Sequence, residues 1–301
     1  MWFTTYAIGG CYLYVAILVQ QLVHPQECGR RSTYHIQEAR LQNKKTEAYP
    51  NSWPWHVGVY SSAIGPSPFC GETLIASKWV LTAAHCILAA LECNDAPVGR
   101  LFSYHDITGE HMAVTVADHN YTQRQRPAYN VRVEGVIMHP SFTKQISNRA
   151  FDIALLQLNH EVKRTSVAEY ACLPEPWLNL PAGYFCKFAG WGRKPHPPHE
   201  SQSDYPETLM ELRTQIVSTS HCNSEIVGFD DIDAVFTDQA QGSPYTGDSG
   251  GGLHCLTPDE SKWVIYGVLS TGTPDCTDGV DVYALTSTKL SWINGVMTAH
   301  S

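Results

Sequence analysis

Short apolar runs separated by turn residues fill most of the chain after Trp53, and they constrain the fold more than any other feature. The runs are rich in Val, Ile, Leu, Tyr and Trp, and they are bounded by Gly, Pro, Asn and Ser. This spacing is typical of many short strands and predicts a mainly β protein, either a barrel or a sandwich. Clear examples are Trp55–Tyr60, Thr73–Ala84, Val131–Met138, Asp152–Leu158, Glu211–Val217, Trp263–Ser270 and Gly279–Leu285.

Only the C-terminal end, 287–300, has the spacing of a helix. Leu290, Ile293 and the pair Val296 and Met297 recur at helical intervals. They predict a helix that docks one apolar face on the rest of the protein.

Composition excludes several classes of protein. The chain has 301 residues and a net charge of −9 at pH 7, which argues against nucleic acid or an anionic membrane as the main partner. With 43% hydrophobic residues the chain can bury a core, so disorder is excluded as its overall state. The length allows one large domain or two fused halves.

Ten cysteines point to an oxidising compartment and to several disulfides. Secretion also fits the sequon Asn120-Tyr121-Thr122, which makes Asn120 a candidate glycosylation site. The predicted localisation is therefore extracellular.

The N-terminus has the features of a signal peptide. No charged residue precedes Glu27, and the apolar stretch Ala7–Val19 is short for a membrane span. Because no Lys or Arg precedes this stretch and no clear cleavage site follows it, an uncleaved signal anchor and a buried strand remain alternatives for residues 1–24. Association with a membrane is expected only if the signal stays uncleaved.

Three motifs carry the chemistry of a nucleophilic enzyme. Taken singly, a His beside a Cys, an Asp before an apolar strand and a Gly-rich loop with a Ser are ordinary core, turn and loop features. Together they supply a base, an orienting acid and a nucleophile, the three roles that acyl transfer needs. They are Thr82-Ala83-Ala84-His85-Cys86, Asp152-Ile153-Ala154-Leu155-Leu156 and Gly247-Asp248-Ser249-Gly250-Gly251.

In this order the motifs resemble those of chymotrypsin/trypsin-like serine endopeptidases. The resemblance covers the chain from about Cys28 to the C-terminus. The leader and the positions that depart from the family pattern resemble those of arthropod secreted members more than those of vertebrate pancreatic ones. Further matches are Ser52-Trp53-Pro54-Trp55, Cys70-Gly71-Glu72-Thr73-Leu74-Ile75 and Gly190-Trp191-Gly192.

The resemblance implies two antiparallel six-stranded β-barrels with the active site between them, and a C-terminal α-helix. The first barrel is expected at about 50–165, the second at about 183–285 and the helix at 287–300. Residues 25–41 would form a leader or activation segment, and 42–301 the peptidase domain.

The resemblance also assigns roles to individual residues. His85 would be the general base, Asp152 its orienting acid and Ser249 the nucleophile. The backbone N–H groups of Gly247 and Ser249 would form the oxyanion hole. Neither a cofactor nor a metal is expected, because no Cys/His cluster has short ligand spacing.

Three disulfides are implied by the same resemblance: Cys70–Cys86, Cys186–Cys255 and Cys28–Cys172. Cys11 leaves with the signal if that is cleaved. Cys93, Cys222 and Cys276 are then left over, because Tyr245 stands where the family partner of Cys276 normally lies. One unusual bridge with a free thiol and an intermolecular link remain alternatives.

The activation site departs from the family pattern. Family members are cut after Arg or Lys, and the freed ammonium buries against the Asp before the nucleophile, here Asp248. A cut after Arg40 would create a terminus that begins Leu41-Gln42, with a polar residue where the family inserts an aliphatic one. The alternative is a leader that stays uncut, held by Cys28.

The specificity pocket departs as well. Ser243, six residues before the nucleophile, stands where trypsin-like members have Asp, while Ser270 and Gly272 would line the opposite wall. Asp281 replaces a wall glycine. Asp281 either moves the acidic group from floor to wall, and so keeps a preference for Arg or Lys, or it narrows the pocket or is neutralised locally. Apolar or aromatic specificity and a poorly formed pocket are the alternatives.

These features predict a secreted endopeptidase whose partners are protein or peptide substrates and protease inhibitors. The long interval between His85 and Asp152, with its polar tract Asp118–Asn130, is expected to narrow substrate choice or to be a surface insertion. The alternative function is a catalytically weak or idle protease-fold protein that binds or regulates partners.

Overall fold

The computed structural model describes residues 28–31, 45–123, 126–143, 146–194, 205–218, 232–240, 242–273 and 279–301. The predicted signal peptide, the predicted cleavage site after Arg40, and the cysteines Cys11, Cys222 and Cys276 lie outside these residues.

Six strands of the N-terminal half close into an antiparallel barrel. They follow a two-residue strand, β1 (Thr46–Glu47), and run in the order β2-β3-β4-β7-β6-β5 around the barrel. Val, Ile and Leu side chains dominate their buried positions and fill the interior, as a barrel of this size requires. The strands are β2 (His56–Ser61), β3 (Cys70–Ala76), β4 (Trp79–Thr82), β5 (Met112–Val116), β6 (Tyr129–Met138) and β7 (Ala154–Leu158).

The C-terminal half forms a second barrel of the same kind. Its strands are β8 (Phe185–Gly190), β9 (Met210–Val217), β10 (Ala234–Asp238), β11 (Gly252–Leu256), β12 (Trp263–Thr273) and β13 (Val280–Leu285). Pairing of β8 with both β11 and β9 closes the barrel. The short strand β1 pairs with the beginning of β9, and β10 pairs with its end. The two six-stranded barrels confirm the predicted fold class.

Two helices interrupt the first half, so the prediction of helix only at the C-terminus was wrong. The run Thr73–Ala84 is not one strand, because it divides between β3 and β4 and ends at the start of α1 (Ala84–Leu91). A continuous apolar run does not distinguish a buried strand from a buried helix. Ala and Leu, the strongest helix formers, decide for helix in α1. A second short helix, α2 (Tyr104–Thr108), ends at Gly109 in the left-handed conformation.

The predicted C-terminal helix is present as a 3-10 turn, Ser287–Lys289, followed by α3 (Leu290–Ala299). Its apolar face packs into the core of the first barrel, as the predicted spacing requires. Gln157 Nε2 of β7 also donates to the carbonyl of His300, at 2.8 Å. None of the helices in the described ranges is long and apolar enough to cross a membrane.

A buried lysine attaches the beginning of α3 to the second barrel. Lys289, with a side chain only 1% exposed, donates to Asp233 Oδ1 at 2.7 Å and to the Asp233 carbonyl at 3.1 Å. Its ammonium also lies 4.5 Å from the centre of the Phe151 ring. The C-terminal segment thus contacts both barrels.

We expect Lys289→Met to lower the free energy of unfolding by about 3 kcal/mol, because it leaves the Asp233 carboxylate without its buried partner. Urea unfolding followed by circular dichroism measures the change as a shift in midpoint. Lys262→Met is the matched control: Lys262 pairs with Glu175 at 3.4 Å on an exposed surface, and its loss should cost less than about 1 kcal/mol. Equal shifts in the two variants would contradict the structural role of Lys289.

Candidate active site

The three predicted catalytic residues lie at strand ends where the two barrels meet. His85 follows β4 in the first turn of α1, and Asp152 lies two residues before β7. Because β4 and β7 are paired, with Thr82 opposite Ala154, their ends bring the two side chains together. Ser249 lies on the loop before β11 of the second barrel.

His85 and Asp152 are joined by two hydrogen bonds. The Nδ1 atom of His85 lies 2.6 Å from Asp152 Oδ2, and the His85 backbone N–H donates to Asp152 Oδ1 at 2.8 Å. Asp152 is buried and the imidazole is 34% exposed, so the carboxylate holds the Nδ1 side of the ring. The Nε2 atom lies 3.9 Å from Cys86 Sγ. This arrangement selects the tautomer with a proton on Nδ1 and a basic Nε2.

Ser270 completes the surroundings of this carboxylate. Its hydroxyl donates to Asp152 Oδ2 at 2.6 Å from strand β12 of the second barrel. Ser270 was also predicted to line the specificity pocket, and that role stays a prediction. A carboxylate that accepts three hydrogen bonds is fixed in orientation, and it fixes the imidazole in turn.

The Ser249 loop is attached directly to the histidine barrel. Gly71 N of β3 donates to the carbonyl of Ser249 at 2.8 Å. The next residue, Gly250, has φ +79°, and a Cβ there would lie 2.6 Å from Gly71 O and 3.0 Å from Ala83 N. Only glycine allows so close an approach, which places Ser249 beside the strand end that carries His85. Among the hydrogen bonds of the described residues, none joins the Ser249 hydroxyl to His85; such bonds are often long before substrate binds.

The Gly247–Ser249 segment contains two backbone N–H groups that have no protein acceptor among the described residues. Gly247 has φ +93°. Within the described part of the chain, neither the N–H of Gly247 nor that of Ser249 donates to a protein acceptor, whereas the N–H of Asp248 between them donates to Tyr245 O at 2.8 Å. Two free N–H groups beside a serine hydroxyl are the donors that a developing oxyanion needs.

Asp248 is the anchor of this segment, and its side chain is fully buried. Gly192 N donates to Oδ1 at 2.8 Å, and Tyr245 N donates to Oδ2 at 2.7 Å. The ammonium of Lys45 also hydrogen-bonds to Oδ2 and, at 2.9 Å, to the Gly192 carbonyl. The family resemblance predicts a freed chain terminus against Asp248; the structure has a lysine side chain there.

The predicted pocket residues Ser243, Gly272 and Asp281 are adjacent. Ser243 Oγ donates to Asp281 Oδ1 at 2.7 Å, and Gln239 Nε2 donates to the same oxygen at 2.8 Å. Gly272 pairs with Asp281 across β12 and β13. Burial raises the pKa of Asp281 to about 7, although the Ser243 and Gln239 hydrogen bonds oppose the rise.

Two residues of the site, Lys45 and Gln239, were missed by the sequence analysis. Lys45 lies a few residues after the predicted cleavage site at Arg40, so its charge was visible in the sequence but its contact was not. Gln239 belongs to no motif, and only the pairing of β10 with β13 brings it to Asp281. No sequence signal would have identified it.

The cysteines form the three disulfides that the resemblance implies: Cys28–Cys172, Cys70–Cys86 and Cys186–Cys255. Cys93 is exposed and has no disulfide partner among the described residues. Donor atoms of Cys70, His85 and Cys86 lie within 4.8 Å of one another. Because both sulfurs belong to a disulfide, this group offers no thiolates to a metal.

Asn120 lies between β5 and β6 of the first barrel, at a point where this part of the chain contacts the second barrel. Its backbone forms a β-bridge with Thr208, and its Oδ1 accepts from Thr122 N at 3.0 Å and from Gln123 N at 2.9 Å. The Thr122 hydroxyl donates onward to Glu207 Oε2 at 2.9 Å. The tract Asp118–Asn130 therefore bridges the barrels, and glycosylation of Asn120 stays a prediction.

Comparison with known proteins identifies the family. The family described as Trypsin matches residues 42–293. The chain therefore belongs to the trypsin family of serine proteases.

Among its relatives, human transmembrane protease serine 5 is 32% identical over 280 residues, which cover 89% of this chain and 53% of that protein. Human atrial natriuretic peptide-converting enzyme is 27% identical over 91% of this chain and 24% of its own length. Mouse ovochymase-2 is 29% identical over 84% of this chain and 37% of its own length. The chain thus spans about half the length of the first relative and less of the other two, and its resemblance to arthropod members stays a prediction.

The close contact at Gly250 yields a stability prediction. Gly250→Ala should destabilise the protein more than Gly109→Ala, although the two glycines have similar φ angles of +79° and +76°. Left-handed strain of about 1–2 kcal/mol is common to both. Only at Gly250 would the new Cβ also collide with backbone, since nothing lies within 4 Å of a Cβ at Gly109. Urea midpoints for the two variants measure the difference, and equal losses would contradict the inter-barrel contact.

Proposed function

We propose that this protein is a secreted serine endopeptidase that hydrolyses protein or peptide substrates through an acyl-enzyme. The observation that carries the proposal is the hydrogen-bonded pair His85–Asp152 at the inter-barrel contact that holds Ser249. Membership of the trypsin family supports it. Protease inhibitors are further expected partners, because they occupy the same cleft as substrates.

The proposed reaction begins with attack of the Ser249 hydroxyl oxygen on the substrate carbonyl. His85 Nε2 accepts the hydroxyl proton as the C–O bond forms, and Asp152 stabilises the resulting imidazolium. The N–H groups of Gly247 and Ser249 donate to the oxyanion. His85 then returns the proton to the leaving amine, the C–N bond breaks, and water releases the acyl group by the reverse sequence of proton transfers.

Ser270 has a positioning role in this proposal. Its hydroxyl and the His85 backbone N–H hold the two oxygens of Asp152 from opposite barrels. Correct alignment of the imidazole therefore depends on how the barrels pack together. A site built from both barrels is assembled only when the whole domain has folded.

Ser249→Ala should abolish peptide hydrolysis and labelling by a fluorophosphonate probe, because it removes only the nucleophilic oxygen. Labelling is measured by intact mass, and the labelled residue is mapped by peptide sequencing. Ser261→Ala, which changes an exposed serine of the second barrel, should label like the unaltered chain. Hydrolysis above the buffer rate by folded Ser249→Ala would refute the proposed nucleophile. Failure of the folded, unaltered chain to label, before and after trypsin treatment, would favour the idle binding protein.

We further propose that Asp281 directs cleavage to bonds after Arg or Lys. Its carboxyl group is fully buried beside Ser243 and Gly272, and its Oδ2 atom has no hydrogen-bond partner among the described residues. A carboxylate oxygen without a hydrogen-bond partner, beside the predicted pocket residues, favours a guanidinium or ammonium group. In this proposal the acidic group of the pocket lies on the wall, at Asp281, whereas trypsin-like members have it at the floor position, where this chain has Ser243.

The raised pKa of Asp281 makes this preference pH-dependent. Below its pKa of about 7 the carboxyl group is neutral, and above it the group is charged. The ratio of kcat/KM for an Arg substrate to that for a Phe substrate should therefore rise with pH through this value. The ratio cancels any pH effect on the catalytic groups, because both substrates use the same groups. In Asp281→Asn the ratio should be lower and independent of pH; an unchanged ratio in that variant would remove Asp281 from the specificity argument.

A further inference from the structure

Lys45 is held in place by the second barrel. The two residues after it form β1, in which Thr46 pairs with Glu211 and Glu47 with Met210 of β9. Ala48 N then donates to Leu209 O at 2.9 Å. These contacts fix the backbone beside Lys45. The pairing of β1 with β9 therefore sets the direction of the Lys45 side chain.

The glycines of the Gly190-Trp191-Gly192 motif make the room for the ion pair. A Cβ on Gly192 would lie 2.5 Å from both carboxylate oxygens of Asp248, and a Cβ on Gly190 would collide with Oδ1. Gly192 also contributes its N–H to Asp248 and its carbonyl to Lys45. The motif therefore forms a close-fitting binding site for the Asp248 carboxylate and the Lys45 ammonium group.

Burial makes the loss of either partner costly. The side chains of Lys45 and Asp248 are 4% and 0% exposed. A buried carboxylate without a cation is costly, because hydrogen bonds from backbone N–H groups leave its charge uncompensated. Among the described residues, Lys45 is the cation in the ion pair that Asp248 forms.

We propose that Lys45 is a positioning residue whose side-chain ammonium holds Asp248, and through it the Gly247 and Ser249 oxyanion donors, without cleavage of the chain after Arg40. The inference deepens the proposed function and rests on it. Asp248 links the two, because it is bonded to Lys45 through Oδ2 and lies between the two donor residues.

The proposal reverses the expectation for activation. In the family pattern the ammonium against the aspartate comes from a freshly cut terminus, so the uncut chain lacks it. Here a side chain of the uncut chain supplies the charge. Cleavage after Arg40 then adds no group that the Asp248 loop needs.

The first test uses the full chain and its Arg40→Gln variant, which removes the trypsin-sensitive bond after residue 40; the cut positions are mapped by mass. Fluorophosphonate labelling of Ser249 is timed by intact mass, with and without trypsin treatment. The proposal expects uncut chain, treated chain and variant to label at comparable rates. Labelling only after a cut at Arg40 would overturn it while leaving the serine endopeptidase intact. No labelling in any sample would instead count against the proposed function.

The second test removes the ammonium. Lys45→Met should slow labelling of Ser249 by about 10²–10³-fold, the loss that accompanies a missing oxyanion donor. Lys262→Met removes an exposed lysine of the same barrel and should label normally. Near-ultraviolet circular dichroism checks that the variants fold. If Lys45→Met does not fold, the comparison with Arg40→Gln decides the question. Normal labelling by folded Lys45→Met would overturn the proposal.

A double-variant cycle separates positioning from general stabilisation. If Lys45 acts through Asp248, then Lys45→Met should slow labelling much less in an Asp248→Asn background than in the unaltered chain. Equal factors in the two backgrounds would show that Lys45 acts independently of Asp248, and this result would also overturn the proposal.

Discussion

The buried carboxylate of Asp248 is the constraint on which the active-site half of the structure depends. A fully buried negative charge requires a cation and several donors, and these come from three separate segments: Lys45 before β1, Gly192 after β8, and Tyr245 on the loop before β11. Satisfying this one group therefore draws the N-terminal segment, the Gly190–Gly192 motif and the nucleophile loop together. The positions of the Gly247 and Ser249 N–H groups follow from that convergence.

The contact between the barrels depends on backbone approach as well as charge. Gly71 and Gly250 bring β3 and the Ser249 loop so close that no side chain fits between them. Ser270 reaches across the same boundary to Asp152, and the Asp118–Asn130 tract crosses it at Asn120. The proposed catalytic groups thus occupy the part of the boundary where both barrels contribute hydrogen bonds, which explains how a site made from distant segments keeps one geometry.

The two buried aspartates of the second barrel have different environments. Asp248 has a lysine partner, whereas Asp281 has only neutral donors, Ser243 and Gln239, on one of its oxygens. The first is held in a buried ion pair within the protein. Burial raises the pKa of the second to about 7. In the specificity proposed above, a basic substrate side chain is the cation that would pair with its charged form.

The sequence by itself determined the mainly β class, the C-terminal helix and the three motifs, because strand alternation, helical spacing and a Gly-rich turn are local properties of the chain. It did not determine the division of Thr73–Ala84 into two strands and α1, since an apolar run is compatible with either structure. Only the tertiary structure decided that Lys45 pairs with Asp248, Ser270 with Asp152, and Gln239 with Asp281. These partners are 203, 118 and 42 positions apart in the chain, and strand pairing in two closed barrels, which no local pattern encodes, brings them into contact.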